Sequence, residues 1–232
     1  MDVKHDSEPD ASAGSEPGTA ADSPVTDASP APRTKAAQRE ATTGTLITAA
    51  RSLFAERGYA AVGTEEIVQR AGVTRGALYH HFRAGKEELF RAVLVQVSAE
   101  TAQGVASAAL AEDDPWDGLL VGIDAFLDAC ATPDVQRILL VDGPSVLGWD
   151  VWRAIDHDYG LGLVEAALQR AMDAGRLLPH PTNALAHVLL GALHEAAMVV
   201  AGADDPAAAR AEMGEMVQRL LEGLRGPDLR SG

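Results

Sequence analysis

Only one cysteine, Cys130, occurs in the 232 residues. That excludes an internal disulfide and any cysteine-built zinc cluster, and it agrees with a reducing compartment. No window approaches the roughly 18 consecutive apolar residues of a membrane helix. The opening MDVKHDSEPD likewise lacks the apolar stretch of a secretory signal. The expectation is a cytoplasmic protein with no membrane partner. The signatures G-x-G-x-x-G, P-loop, G-x-S-x-G and H-E-x-x-H are all absent. The C-terminal histidines lack the i, i+3 or i, i+4 His/Glu partner of helical metal sites. Neither catalysis, nor a cofactor, nor a metal is therefore expected. The segment DVWRAIDHDYG holds three acids, Asp150, Asp156 and Asp158, but a helix in an acidic domain bears such acids by default.

Positive charge is scarce overall, 19 Lys and Arg against 34 Asp and Glu for a net charge of −15. Taken whole, that balance argues against a nucleic-acid partner. It divides sharply along the chain. Residues 1–32 carry a net −6, residues 33–97 a net +4 and residues 98–232 a net −13. A basic block between two acidic ones suggests two tasks in one chain.

Residues 1–32 contain no aromatic residue and no Leu or Ile. They cannot bury enough apolar surface to offset the entropy of ordering, so a disordered acidic tail is expected. From Arg33 onward the sequence reads as helices punctuated by Gly, Pro and Asp, without a convincing period-2 strand or tandem repeat, and the fold class is all-α. Leu46, Ile47, Ala50, Leu53 and Phe54 form one helical stripe that Gly58 ends. Thr64 caps a short helix with Glu65 and Glu66 in its first turn, Gly72 ends it, and Thr74 caps another running to about His81. A long helix opens near Gly85-Lys86-Glu87. Further helices start near Pro115, Pro133, Trp149, Pro181 and Pro206, where a proline's missing amide proton has no intrahelical partner to lose.

The stretch GTEEIVQRAGVTRGALYHHF, from Gly63, has the spacing of a helix-turn-helix. The major groove of duplex DNA, about 12 Å wide, admits one α-helix, and base edges are read from that helix's N-terminal part and outward face. Ile67, Ala71, Val73 and Leu78 would lock the helix pair together. Arg75, Gly76, Ala77, Tyr79, His80 and His81 would lie on or beside the exposed part of the second helix. Plain packing is the competing reading for Tyr79, His81 and Phe82, and it is the preferred one for Phe82.

From about Thr45, the run LFAERGYAAVGTEEIVQRAGVTRGALYHHFRAGKEELFRAVL resembles the DNA-binding domain of the TetR family of transcriptional regulators. The shared pattern is LF-x-x-x-G-Y/F, T-x-x-x-I-A, A-G-V-S/T-x-G-x-L-Y-x-H-F and K-E-x-L. Two departures stand out: Val68 replaces the usual Ala after the Ile, and three residues, Arg83-Ala84-Gly85, separate the Phe from the Lys where two are usual. The resemblance implies an N-terminal three-helix DNA-binding domain, a connecting fourth helix, and a helical domain for ligand binding and dimerisation. It implies domains at 33–97 and 98–232, and a dimeric regulator, probable repressor in function, that a small molecule releases from operator DNA. By the same resemblance Thr74 to His81 is the recognition helix. Arg75 bridges a guanine's O6 and N7, Thr74, Tyr79 and His80 contact phosphates or neighbouring bases, and Thr64 and Lys86 meet phosphate at helix N-termini. The rival reading is a helical module that binds a ligand or protein partner without using DNA.

In the acidic C-terminal part, His187 and His194 are seven residues apart and share a helix face. With Phe126, Cys130, Trp149, Trp152 and Tyr159 they are the candidates to line an effector cavity between helices. Core histidines satisfied by backbone carbonyls are commoner, and Cys130 is most simply a small buried apolar residue. The helix around Leu189, Leu193 and Ala197 is apolar on more than one face. The last helix repeats Met213, Val217, Leu220 and Leu224 at helical spacing. These two helices are the expected dimer surface, packed as a four-helix bundle.

Overall fold

The computed structural model describes residues 34–225, and the acidic segment 1–32 lies outside them. Eleven α-helices and two π-helical stretches account for the described elements, with no strand among the described residues. The first four helices are α1 (Lys35–Arg57), α2 (Thr64–Ala71), α3 (Arg75–His81) and α4 (Lys86–Leu110). Then come α5 (Pro115–Cys130), α6 (Pro133–Val135), a π-helical stretch (Gln136–Asp142), α7 (Gly143–Leu147) and α8 (Trp149–Asp156). A second π-helical stretch (His157–Leu161) leads into α9 (Gly162–Asp173), followed by α10 (Thr182–Gly202) and α11 (Pro206–Glu222).

The N-terminal stripe works as its spacing predicts: Leu46, Ala50, Leu53 and Phe54 are buried on α1. Phe54 meets Phe90 of α4 edge-on at 5.4 Å between ring centroids, and Tyr59 meets the same ring at 5.1 Å. These rings fasten the three-helix unit to the connecting helix. No break falls between residues 97 and 98. Val97 and Ser98 are consecutive buried residues inside the unbroken α4, and one continuous apolar core runs from Leu46 to Leu221.

Prolines open helices as expected at Pro115, Pro133 and Pro206, whereas Pro181 stands just before α10 as its N-cap. Thr64 is the first residue of α2 rather than its cap. Gly63 occupies the cap position without a side-chain hydrogen bond. The π-helical stretches and the short α7 break the helical regularity that the sequence suggested after Thr132. They form where tertiary contacts outweigh i→i−4 bonding: Trp152 Nε1 donates to the Leu139 carbonyl oxygen at 2.8 Å. A Cβ at Gly143 would lie 2.7 Å from that indole, so only glycine lets the two segments approach.

By length and composition alone α10 could cross a membrane. In the fold it is a core helix, with seven residues buried against its neighbours α5, α9 and α11.

Candidate DNA-binding surface and effector cavity

Two short helices meet at a sharp turn. Gly72, with φ 66° and ψ 28°, ends α2 in the left-handed region that a β-carbon disfavours. The Thr74 side chain then caps α3 by accepting from the Ala77 amide at 3.2 Å. Ile67, Val68 and Leu78 are buried between the helices, so the wider Val68 is absorbed into the core. Phe82 is also buried, as expected. The outer side of α3 presents Arg75, Gly76, Tyr79 and His80 to solvent, with Ala77 and His81 half-buried. The Arg75 guanidinium lies 5.7 Å from the centroid of the Tyr79 ring, which gives a long side chain a preferred direction.

The two histidines connect α3 to the start of α1. His80 Nε2 lies 2.9 Å from Arg39 Nη2, and His81 Nδ1 lies 3.0 Å from the Thr43 hydroxyl. Burial, helped by the nearby charges of His80 and Arg39, holds the His81 imidazole below its ordinary pKa. Its neutral form suits the Thr43 contact. Arg39 and Thr43 went unnoticed in the sequence because nothing local marks a contact about forty residues away. Lys35, Arg39 and Arg83 extend the exposed basic surface around α3.

The Lys86 ammonium turns inward. It donates to the carbonyls of Tyr59 at 3.0 Å and Val62 at 2.9 Å and lies 4.0 Å from the centroid of the Tyr59 ring. Burial holds its pKa below the usual lysine value. The expected phosphate contact is thus corrected: this ammonium closes the α1–α2 loop. The three-residue spacer before it ends at Gly85, whose φ of 71° starts α4 at that place.

A cavity of about 280 Å³ lies between α4, α5, α9 and α10. It runs beside small residues, Ala102, Ala106 and Ala109 on α4 and Gly118 and Gly122 on α5, which leave unfilled space between the helices. At one end stand Ser98, Phe126, Asp156 and Tyr159; at the other Arg170 projects from α9. His194 closes the first end from behind. Its ring packs edge-on against Phe126 (5.7 Å) and Trp152 (5.4 Å). His194 Nε2 lies 3.0 Å from Asp156 Oδ1, yet it makes no hydrogen bond of acceptable angle, so the pair is an ionic contact rather than an aligned bond.

The cavity-bearing region is tied directly to α1. Arg51 donates to Asp134 Oδ2 through Nε (3.2 Å) and Nη2 (2.7 Å) and also pairs with Glu100 of α4. The Tyr59 amide donates to Asp142 Oδ2 at 2.7 Å, at the end of the first π-helical stretch.

Residues 46–93 match the pattern of the bacterial regulatory proteins of the tetR family, and residues 116–224 match the tetracyclin repressor-like C-terminal domain. A TetR-family transcriptional regulator from Pectobacterium atrosepticum superposes with a TM-score of 0.74 and 33% identity, over 84% of this chain and 99% of that one. This chain belongs to the TetR family of transcriptional regulators.

Among further relatives, the TetC protein of transposon Tn10 from Escherichia coli is 28% identical over 66% of this chain and 76% of its own length. RolR, solved in complex with resorcinol, shares the fold at a TM-score of 0.63 and 22% identity, over 84% of this chain and all of its own. The family's DNA-binding domain is therefore the α1–α3 unit described above.

Within this TetR-family chain the expected effector residues divide. Phe126 and Tyr159 line the cavity, and Trp152 and His194 back it. Cys130 is buried nearby, and burial, with the Asp156 charge, pushes its thiol up to about 12. Trp149 and His187 are corrected, since they stand outside the cavity. Trp149 is exposed, and His187 lies against its own helix, Nδ1 2.9 Å from the Asn183 carbonyl oxygen. Ser98, Asp156 and Arg170 were missed. Asp156 in particular is buried, not on the solvated face assumed for it, and the signal was present: it shares a helical face with Trp152 and Tyr159.

The expected dimer residues are also corrected. Leu189, Leu193, Ala197 and Val217 fill the protomer's own core, and Met213 and Leu224 pack half-buried against it. Only Leu220 of that set is exposed. The open apolar face carries Val188, Met198 and Val199 of α10 with Met216 and Leu220 of α11.

Proposed function

We propose that the protein is a dimeric repressor whose operator binding is relieved by a small molecule in the α4–α5–α9–α10 cavity. The observation that carries this reading is the continuity between cavity and DNA-binding unit. Ser98 on the cavity wall and Glu100, which holds Arg51 of α1, lie on the same turn of α4. Two recognition helices must enter successive major-groove faces about 34–36 Å apart, or a multiple of that, so the dimer sets the half-site spacing. A ligand that favours a different packing of α4 against α1 changes that spacing. The coupling is reciprocal, so operator DNA lowers effector affinity by the same factor. The resorcinol held by RolR supports a small organic effector for this fold. The dimer forms through the exposed α10 and α11 face, and its apolar side chains agree with burial between two copies.

Selecting genomic fragments on the purified protein tests the reading. A small set of enriched fragments is expected, with gel-shift affinity that falls steeply as salt rises. Random recovery, or affinity flat in salt, would refute operator binding.

A further inference from the structure

The effector cavity is long and chemically different at its two ends. Ser98 and Ala109, both on its wall, are eleven residues apart on α4, about 16 Å at 1.5 Å per residue. A sphere of the same 280 Å³ would be only about 8 Å across, so the space is elongated. The helix pairings give it direction. Gly118 packs on Ala109 at the end of α4, and Arg176, just beyond α9, pairs with Asp114, just before α5. The Arg170 end of α9 therefore lies beside the α4 C-terminus and the α5 N-terminus, and Asp156, His194 and Phe126 lie at the opposite end.

The first end is a polar site in an apolar wall. Ser98 is 5% exposed, and its hydroxyl has no hydrogen-bond partner. Asp156 is 7% exposed, and its carboxylate has only the poorly aligned His194 contact. A buried hydroxyl and carboxylate left in this state favour a ligand group that donates to the acid and accepts from the serine. A hydroxyl does both, whereas a carboxylate placed there would face the Asp156 charge. At the far end the half-buried Arg170 has a sequestered Nε without a partner, and no carboxylate lies within 4.0 Å of its guanidinium among the described residues. That end suits an anionic oxygen. Between them the wall is apolar, built from such residues as Val105, Leu119, Ile123 and Leu163.

We propose that the effector is an elongated, apolar hydroxy acid, its hydroxyl held by Ser98 and Asp156 and its carboxylate by Arg170. The inference rests on the reading of this cavity as the effector site and adds the chemistry of what enters it.

The test uses three matched probes, ω-hydroxydecanoic acid, decanoic acid and decanol, titrated into the full-length protein. Tryptophan emission reports binding, because Trp152 packs on His194 at the hydroxyl end. ω-Hydroxydecanoic acid is expected to bind about ten-fold or more tightly than either singly functional probe, the loss expected when a buried polar group is left unpaired. Ser98→Ala is expected to remove its advantage over decanoic acid, and Arg170→Gln its advantage over decanol. Melting curves of both variants separate a folding defect from a binding one, and the wild-type ranking needs no variant. Equal affinity for all three probes, no binding by any of them, or a Ser98→Ala loss that is the same for each would overturn the proposal. Release of operator by a molecule of another class would then leave the effector site standing and reject only this chemistry.

Discussion

Replacing Leu220 with arginine tests the dimer surface most sharply. Full burial of a leucine side chain contributes about 1.5–3 kcal/mol. Leu220 is 62% exposed in a protomer, so about 1–2 kcal/mol of that remains to be gained on association. A two-fold interface uses each residue twice, so Leu220→Arg removes about 2–4 kcal/mol and raises the dimer dissociation constant by about 30- to 1000-fold. Desolvating two guanidinium groups adds to that cost. An exposed position leaves the protomer fold intact, which far-UV circular dichroism checks. Sedimentation velocity at low micromolar protein should show monomers. Val188→Arg should do the same, since Val188 is 70% exposed on the adjoining helix. Unchanged dimers in both variants would refute the α10 and α11 interface.

Three further outcomes follow from the ion pairs and buried groups. Lys86→Met should lower the melting temperature, because the Tyr59 and Val62 carbonyls lose their donor. It should leave the slope of log affinity against log salt unchanged, whereas a lost phosphate contact would shift that slope by about 0.9. Asp134 should make stability acid-sensitive. Burial alone would raise its pKa, but hydrogen bonds from Arg51 and Thr132 outweigh this and hold it below the ordinary aspartate value. The stabilisation is present above that ordinary value, near pH 4, and is lost as pH falls through the lowered one. Asp134→Asn should flatten the melting-temperature profile there, and an unaltered profile would remove the Arg51–Asp134 clamp from the account. The Cys130 thiol, pushed up to about 12, should react with a disulfide reagent far more slowly in the folded protein than after denaturation. Equal rates would mean that the site opens.

The helix-turn-helix was legible because its signals are local: Gly72 at the left-handed turn, Thr74 as a cap, and Ile67 and Leu78 at helical spacing. The C-terminal domain was less so, for physical reasons. Apolar residues lie all around α10, and periodicity cannot tell which stripe the protomer buries. The chosen stripe of Leu189, Leu193 and Ala197 was the inner one. The cavity was only half visible because aromatic and histidine side chains attract attention, whereas space is created by small residues such as Ala106 and Gly122. His194 was found, but Ser98 and Arg170 needed the fold, since nothing in the sequence brings α4 and α9 together. The π-helical stretches depend on contacts such as Trp152 to Leu139, which no local preference encodes.

Hydroxyl-radical footprinting on a selected operator tests the central claim most directly. The account predicts two protected half-sites whose centres are 34–36 Å apart, or a multiple of that. Arg75→Ala should weaken binding by about 1–3 kcal/mol and relax the preference at one symmetric base pair. A single protected site, or a footprint whose affinity and sequence preference are indifferent to Arg75→Ala, would contradict it.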